Sequence, residues 1–222
     1  MKVLKEKDKI QFILKTLENL YPEPEIPLDH ENNFTFLVAV MLSAQSTDKK
    51  VNEITPSLFK TANSAEKMSK VKTKEIQRLI KQIGLAPTKS KNIKKMSRQL
   101  LEKHNGEVPN NFEDLENLAG VGHKTASVIM SQAFNQPAFP VDTHIHRLAK
   151  RWGLSDGKNV TNTEKDLKKI FDRNLWNKLH LQIIFYGREY CQARKALCNC
   201  KICEKTRETY IAIWSLYRVQ IR

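Results

Sequence analysis

The chain has 222 residues, of which 40% are hydrophobic, which is enough for one large or two small folded domains and excludes a disordered chain. Its 38 lysines and arginines against 24 acidic residues give a formal net charge of +14, so nucleic acid is the favoured partner over an anionic membrane surface. The longest apolar run, residues 36–42, is too short to span a bilayer, and the mixed charges of residues 1–21 suit neither a signal nor a transit peptide. We expect a monomeric cytoplasmic protein, associated with the nucleoid, that has no membrane partner.

Apolar residues recur at helical spacing through most of the chain, beginning with positions 10, 13, 14, 17 and 20. Pro22, Pro24 and Pro27 then break the pattern and predict a linker. Further helices are predicted, in chain order, for residues 34–43, 51–59, 73–83, 93–104, 112–118, 125–134, 143–152, 162–171, 175–186 and 210–222.

No alternating run is long enough for a sheet, so the predicted fold class is all-α, with two lobes and short connections. We expect a helical bundle over residues 27–136 and a C-terminal lobe over residues 137–222, with the helix of residues 1–26 packed on the C-terminal lobe.

The first half of the chain contains two further polar features, a predicted helix cap at Asp48 and a basic run that begins at Lys89. Asp48 is expected to cap the helix that follows it. A basic run contains Lys89, Lys91, Lys94, Lys95 and Arg98. Such a run is usually a solvated helix face, and its alternative role is contact with phosphates.

The sequence LAGVGHKTA, residues 118–126, places two glycines and a lysine in a bend between two predicted helices. Gly120 and Gly122 permit backbone angles that other residues resist, and the next helix opens with unpaired amides that favour a phosphate. The simpler interpretation is a glycine-capped turn. A lysine is nucleophilic only when neutral, which a partly desolvated position at the positive end of a helix favours, so Lys124 is either a nucleophile or a solvated phosphate ligand.

Asp142 comes directly before the helix predicted to begin near Thr143. Aspartate in this position usually accepts backbone amides as an N-cap. A carboxylate there could also stabilise positive charge that develops during a reaction.

All four cysteines lie within a short C-terminal loop, at Cys191, Cys198, Cys200 and Cys203. Disulfides that stabilise a secreted domain would be spread along the chain, so this cluster indicates the ligands of one metal centre in a reducing compartment.

Taken together, these motifs resemble the endonuclease III family of helix-hairpin-helix DNA glycosylases. LAGVGHKTA resembles the family's hairpin, VDTH at residues 141–144 follows at the expected distance, and the cysteine loop follows Tyr186-Gly187-Arg188. LSAQSTD at residues 42–48 and IGL at residues 83–85 extend the resemblance, which covers about residues 8–205. It implies a bifunctional DNA glycosylase and AP lyase of base excision repair that removes damaged bases, above all oxidised pyrimidines, from double-stranded DNA.

The resemblance also implies the roles of individual residues. Lys124 would displace the damaged base at C1′, form a Schiff base with the opened deoxyribose and promote β-elimination, and Asp142 would be the catalytic aspartate on the other wall of a cleft. Gln45 would fill the gap left by the extruded nucleotide and Leu85 would act as an apolar wedge, the alternative for Leu85 being core packing. Further DNA contacts are expected from the hairpin, at Gly120, Gly122, His123 and Thr125.

The chain departs from the family pattern in the hairpin and in the cysteine loop. Ala119 and His123 stand where the family commonly has Pro and Arg. The cysteine intervals are six, one and two residues, where the family has six, two and five, so the 4Fe–4S cluster that the family implies competes with a zinc site or an unloaded loop. Two other functions stay open, a monofunctional glycosylase and a non-catalytic helix-hairpin-helix module that only binds DNA.

Overall fold

The computed structural model describes residues 6–194 and 198–206, so the helix predicted for residues 210–222 lies outside the described residues. The described residues form α-helices and one 3-10 helix and contain no strand, which confirms the all-α prediction. The α-helices are α1 (Glu6–Leu20), α2 (Asn33–Ser43), α3 (Asp48–Thr61), α4 (Ala65–Lys70), α5 (Thr73–Leu79), α6 (Ala86–His104), α7 (Phe112–Glu116), α8 (His123–Gln132), α9 (Thr143–Arg151), α10 (Val160–Ile170), α11 (Trp176–Glu189) and α12 (Lys201–Thr206), and the 3-10 helix is Arg173–Leu175. Within the described ranges, no helix is both long and apolar enough to cross a membrane.

The chain divides into two compact units. One is Ile26–Pro140, and the other combines Met1–Glu25 with Val141–Arg222 as far as those residues are described.

The core of Ile26–Pro140 is built around α2, which is buried along nearly its whole length because its residues are almost all apolar. This helix packs against α3, α6 and α8. Its start is defined by a capping box, in which the Asn32 side chain accepts the Thr35 amide at 2.9 Å and the Thr35 hydroxyl accepts the Asn32 amide at 3.0 Å.

Three local expectations for this unit are wrong. Thr47, not Asp48, caps α3, because its hydroxyl accepts the Lys50 amide at 3.2 Å and Asp48 is the first helical residue. The helix predicted for residues 73–83 ends at Leu79. Helix α6 begins seven residues earlier than the apolar spacing predicts, since Pro87 is tolerated in a first helical turn and the early turns are rich in lysine.

In the other unit, α11 packs against α9 and α1. Ile13 and Leu17 of α1 are fully buried. At the end of α1, Glu18 accepts the Lys178 ammonium at 2.7 Å and the Gln182 amide at 3.1 Å, which also lower the pKa of Glu18. The N-terminal helix is therefore part of the same core as the C-terminal helices.

Candidate active site and cysteine cluster

The bend between α7 and α8 needs glycine at one of its two glycine positions. Gly120 has a φ of +81°, and a Cβ placed there would stand 2.8 Å from Asn92 Nδ2 and 2.9 Å from Met41 Cε. Gly122 has a φ of −100° and a ψ of 175°, which any residue adopts, and a Cβ there would meet nothing within 4 Å. The expectation that both glycines supply unusual backbone angles is therefore wrong for Gly122, which instead leaves open space at the start of α8.

Lys124 is the second residue of α8, whose N-cap, Gly122, offers no side-chain hydrogen bond to the first turn. The amides of this turn have no partners within the helix, and the positive end of the helix dipole lies beside the lysine. The Lys124 side chain is exposed, and Thr125 is half-buried. The partial desolvation expected for Lys124 is thus not provided by the folded chain, so it would have to come from a bound ligand.

His123 connects the two helices of the hairpin. Its Nδ1 lies 2.7 Å from Glu116 Oε1 on α7, and its ring stacks on Phe112 with centroids 5.7 Å apart. The sequence predicts only a DNA contact for this residue. The structure shows that its ring also joins α7 to α8. The sequence does not predict this pair, because Glu116 and His123 lie on different helices and only the bend between them brings them together.

Asp142 is the N-cap of α9, as its position in the sequence predicts. Its Oδ1 accepts the Ile145 amide at 2.8 Å, and the side chain is half-buried. The hydrogen bond holds the carboxylate at the positive end of a helix dipole, which stabilises a negative charge.

Gln45 and Leu85 share a rare backbone conformation. Their φ angles are +57° and +62°, and the other described non-glycine residues with positive φ, Asn105 and Asn135, are of a type that tolerates it. Gln45 is exposed, and Leu85 is 53% exposed, so the core-packing alternative for Leu85 is wrong. Two exposed side chains held at strained backbone positions suggest a functional constraint.

The basic run on α6 separates into two groups. The ammonium groups of Lys89 and Lys94 donate to backbone carbonyls within the protein, so neither is available to phosphates. Lys91, Lys95 and Arg98 are exposed and follow one another at helical spacing along one face. Only this second group remains a candidate for phosphate contacts.

The sulfur atoms of the four cysteines converge, since all four Sγ atoms lie within 4.8 Å of one another and those of Cys191 and Cys203 are 3.7 Å apart. Cys200 is half-buried and the other three are buried. Hydrogen bonds from the thiols of Cys191 and Cys203 lower the pKa of Cys200, which favours its thiolate. Arg151 Nη1 lies 3.2 Å from Cys191 Sγ and adds positive charge beside the cluster.

This donor set fits a metal centre. Four thiolates are the ligands that both iron–sulfur clusters and structural zinc prefer. The sulfurs of one tetrahedral zinc stand roughly 4 Å apart, because each Zn–S bond is about 2.3 Å. In a 4Fe–4S cluster each cysteine thiolate would bind a different iron, so the four cysteine sulfurs would stand further apart than they do around a single ion.

The fold and these motifs define a class of DNA repair protein. The model of the HhH-GPD superfamily of base excision DNA repair proteins matches residues 38–173. Endonuclease III of Bacillus subtilis is 41% identical over 201 residues, covering 90% of this chain and 92% of the relative, and that of Haemophilus influenzae is 43% identical over 192 residues, covering 86% and 91%. A solved structure described as a trapped endonuclease III–DNA covalent intermediate has a TM-score of 0.87 and 37% identity, covering 95% of this chain and all of that one.

The chain belongs to the endonuclease III family of DNA glycosylases and AP lyases, which act in base excision repair. The resemblance stated from the motifs is thereby confirmed.

Proposed function

We propose that Lys124 is the nucleophile through which this DNA glycosylase and AP lyase acts. The observation that supports the proposal is an exposed primary amine in the first turn of a helix without a side-chain cap, directly after the bend at Gly120. In this position the uncapped amides bind a DNA phosphate while the lysine reaches the adjacent sugar. DNA that covers Lys124 removes water from the amine and so favours its neutral, nucleophilic form.

The reaction has two chemical stages. The neutral Lys124 amine bonds to C1′ as the C1′–N bond to the damaged base breaks, and the base leaves with its bonding electrons and takes up a proton. Loss of the amine proton and opening of the sugar ring give a Schiff base, from which removal of a C2′ proton expels the 3′ phosphate.

Asp142 stabilises the positive charge that develops on the sugar as the base departs. Its carboxylate is held in a defined orientation by the Ile145 amide, so it need not reorganise during the reaction. Aspartate is also a suitable acceptor for the proton that the lysine loses.

The substrate class we propose is double-stranded DNA that carries an oxidised pyrimidine or an abasic site. Reaction at C1′ requires the damaged nucleotide to leave the base stack. The exposed side chains of Gln45 and Leu85 are of suitable size and polarity to take the place of the lost nucleotide, one with an amide and the other with an apolar group. The exposed face of α6 and the net charge of +14 add phosphate attraction, which supports residence of the protein on the nucleoid.

Borohydride trapping tests the nucleophile. With a 5′-labelled abasic duplex and sodium borohydride, the wild-type protein is expected to form a covalent adduct and Lys124→Ala is expected to form none while still binding the duplex. Lys60→Ala, which removes another exposed lysine, is the matched control and keeps the adduct. Binding of the abasic duplex without an adduct in the wild-type protein would refute the lyase. A second duplex with an oxidised pyrimidine then separates the other two functions, since base release without an adduct would indicate a monofunctional glycosylase and binding without base release would indicate the non-catalytic module.

For the cysteine cluster, we propose that the four thiolates hold a metal centre, which the family identifies as a 4Fe–4S cluster. A single zinc ion is the second candidate, because four thiolates whose sulfur atoms lie within 4.8 Å of one another also suit one tetrahedral ion. Iron, acid-labile sulfide and zinc measured on protein purified without oxygen, together with the visible spectrum, separate the two. About four irons and four sulfides per chain support the cluster, and one zinc with no visible absorption supports the ion.

A further inference from the structure

Lys89 lies in the first turn of α6, which begins directly after Leu85, one of the two residues proposed to enter the DNA. It is only 7% exposed, and its ammonium donates to the carbonyls of Leu42 at 2.9 Å and Ala44 at 2.5 Å. Its backbone amide donates to the carbonyl of Leu85 at 2.9 Å. That backbone bond is the ordinary first-turn bond of α6 and does not depend on the side chain, whereas the ammonium joins this first turn, which follows directly after Leu85, to the residue immediately before Gln45.

The end of α2 explains why a lysine is buried here. The last turn of this apolar helix has no basic residue of its own, and terminal carbonyls need donors from elsewhere. A cation at this end also interacts favourably with the helix dipole. Burial lowers the pKa of Lys89, since removing an ammonium group from water disfavours its charge, so placing it here has a cost that its hydrogen bonds must offset.

A second contact joins the same two segments directly. The Gly84 amide donates to the Ser46 hydroxyl at 3.3 Å. A Cβ on residue 84 would stand only 3.2 Å from the carbonyl oxygen of Gln45, which is closer than ordinary van der Waals contact. The backbone beside Leu85 thus packs against the backbone of Gln45.

We propose that Lys89 is a positioning residue for nucleotide extrusion, which holds the Gln45 and Leu85 segments in one rigid arrangement so that both side chains enter the DNA at the same step. The proposal rests on the proposed roles of Gln45 and Leu85. Two side chains in strained conformations keep a fixed orientation only if their surroundings hold them, and the Lys89 ammonium ties the segment before Gln45 to the helix turn that begins after Leu85.

Lys94 supplies a matched control on the same helix. Its ammonium donates to the carbonyls of Ser69 and Val71 at the end of α4, and burial lowers its pKa as it does that of Lys89. Removing Lys94 therefore breaks the same kind of bond without touching Gln45 or Leu85.

The experiment compares Lys89→Met with Lys94→Met. The substrate is a duplex with thymine glycol and a neighbouring 2-aminopurine, whose fluorescence rises when the base stack opens. We expect Lys89→Met to lose most of the fluorescence rise and to release the base about ten- to a hundredfold more slowly in a single turnover. Lys94→Met should keep both at wild-type values, while the two variants lose thermal stability to a similar extent.

Trapping on a single-stranded abasic oligonucleotide separates positioning from chemistry, because that substrate has no duplex stack to open. Lys89→Met should form the borohydride adduct on it at the wild-type rate. If Lys89→Met matches Lys94→Met in fluorescence rise and base release, the proposal is overturned.

Two further sets of variants cover the remaining outcomes. If Lys89→Met does not fold, Gly84→Ala displaces the Gln45 backbone from the other side at an exposed position and should lower the fluorescence rise; an unchanged rise would overturn the proposal.

Gln45→Ala and Leu85→Ala test the underlying roles. An unchanged rise in both would refute the proposed insertion itself, whereas a loss in both with none in Lys89→Met would refute only the positioning by Lys89.

Discussion

The same substitution by alanine should destabilise the protein at Gly120 and leave its stability nearly unchanged at Gly122. Gly120→Ala places a methyl group at a φ of +81°, 2.8 Å from Asn92 Nδ2 and 2.9 Å from Met41 Cε. An alanine in the left-handed region costs roughly 1–2 kcal/mol. Overpacking adds about 1–3 kcal/mol, and the lower entropy of the unfolded chain returns about 0.4–1 kcal/mol.

The expected loss of stability for Gly120→Ala is therefore about 1–5 kcal/mol. The Met41 side chain can rotate away, but Asn92 Cβ, at 2.9 Å from the added atom, is fixed to helix α6, so part of the cost is unavoidable. With a urea m-value of about 2 kcal/mol per molar, the unfolding midpoint should fall by roughly 0.5–2.5 M.

Gly122→Ala is the matched substitution. Its backbone angles suit alanine and its Cβ would meet no atom within 4 Å, so the midpoint should stay nearly unchanged. The methyl group would, however, occupy the space in front of the α8 amides. Affinity for a duplex with a tetrahydrofuran abasic analogue, measured by fluorescence anisotropy, should therefore fall for Gly122→Ala. Equal urea midpoints for Gly120→Ala and the wild type would refute the reasoning from backbone angle and close contact.

Three other changes give separate outcomes. Asp142→Asn keeps a good N-cap for α9 but removes the charge, so the melting temperature should be retained while single-turnover base release falls about a hundredfold; equal release rates would contradict the charge role. Cys203→Ser should abolish the stoichiometric metal that we propose and lower the melting temperature, because a metal held by all four cysteines would constrain the loop that begins at Cys191, and a metal-replete variant would refute a ligand role. The double variant Lys91→Gln, Lys95→Gln should reduce the slope of log K against log salt by about 2, and an unchanged slope would show that neither lysine contacts phosphate.

The sequence predicted most helices because each depends on local information. Asp142 is an example, because an N-cap aspartate accepts a backbone amide only three residues further along the chain, here that of Ile145. The sequence does not indicate the helix start at Ala86, because lysines in the first turns of α6 interrupt the helical spacing of apolar residues. Helix α4 is too short for such a spacing to repeat.

The candidate site was only partly predictable, because its organisation depends on residues distant in the chain. Nothing near Gly120 in the sequence indicates Asn92 or Met41, whose close approach requires the glycine. Likewise, no local pattern pairs His123 with Glu116 across the hairpin. Residue types and spacings therefore predicted the identity of the reacting groups, while the contacts that hold them required the fold.

The lysines of α6 show why net charge alone is a poor guide to a DNA-binding surface. Lys91 and Lys94 are three residues apart and carry the same formal charge, but one is exposed and the other is bonded to carbonyls at the end of α4. When a solvated ammonium contacts a phosphate, it displaces counterions from the DNA, so the affinity depends on salt. A buried ammonium bonded to carbonyls stabilises a helix end and contributes little to this salt dependence. Two lysines of this helix must accordingly be left out of the number that can contact phosphates, and Lys89 acts on DNA through the segments that it holds.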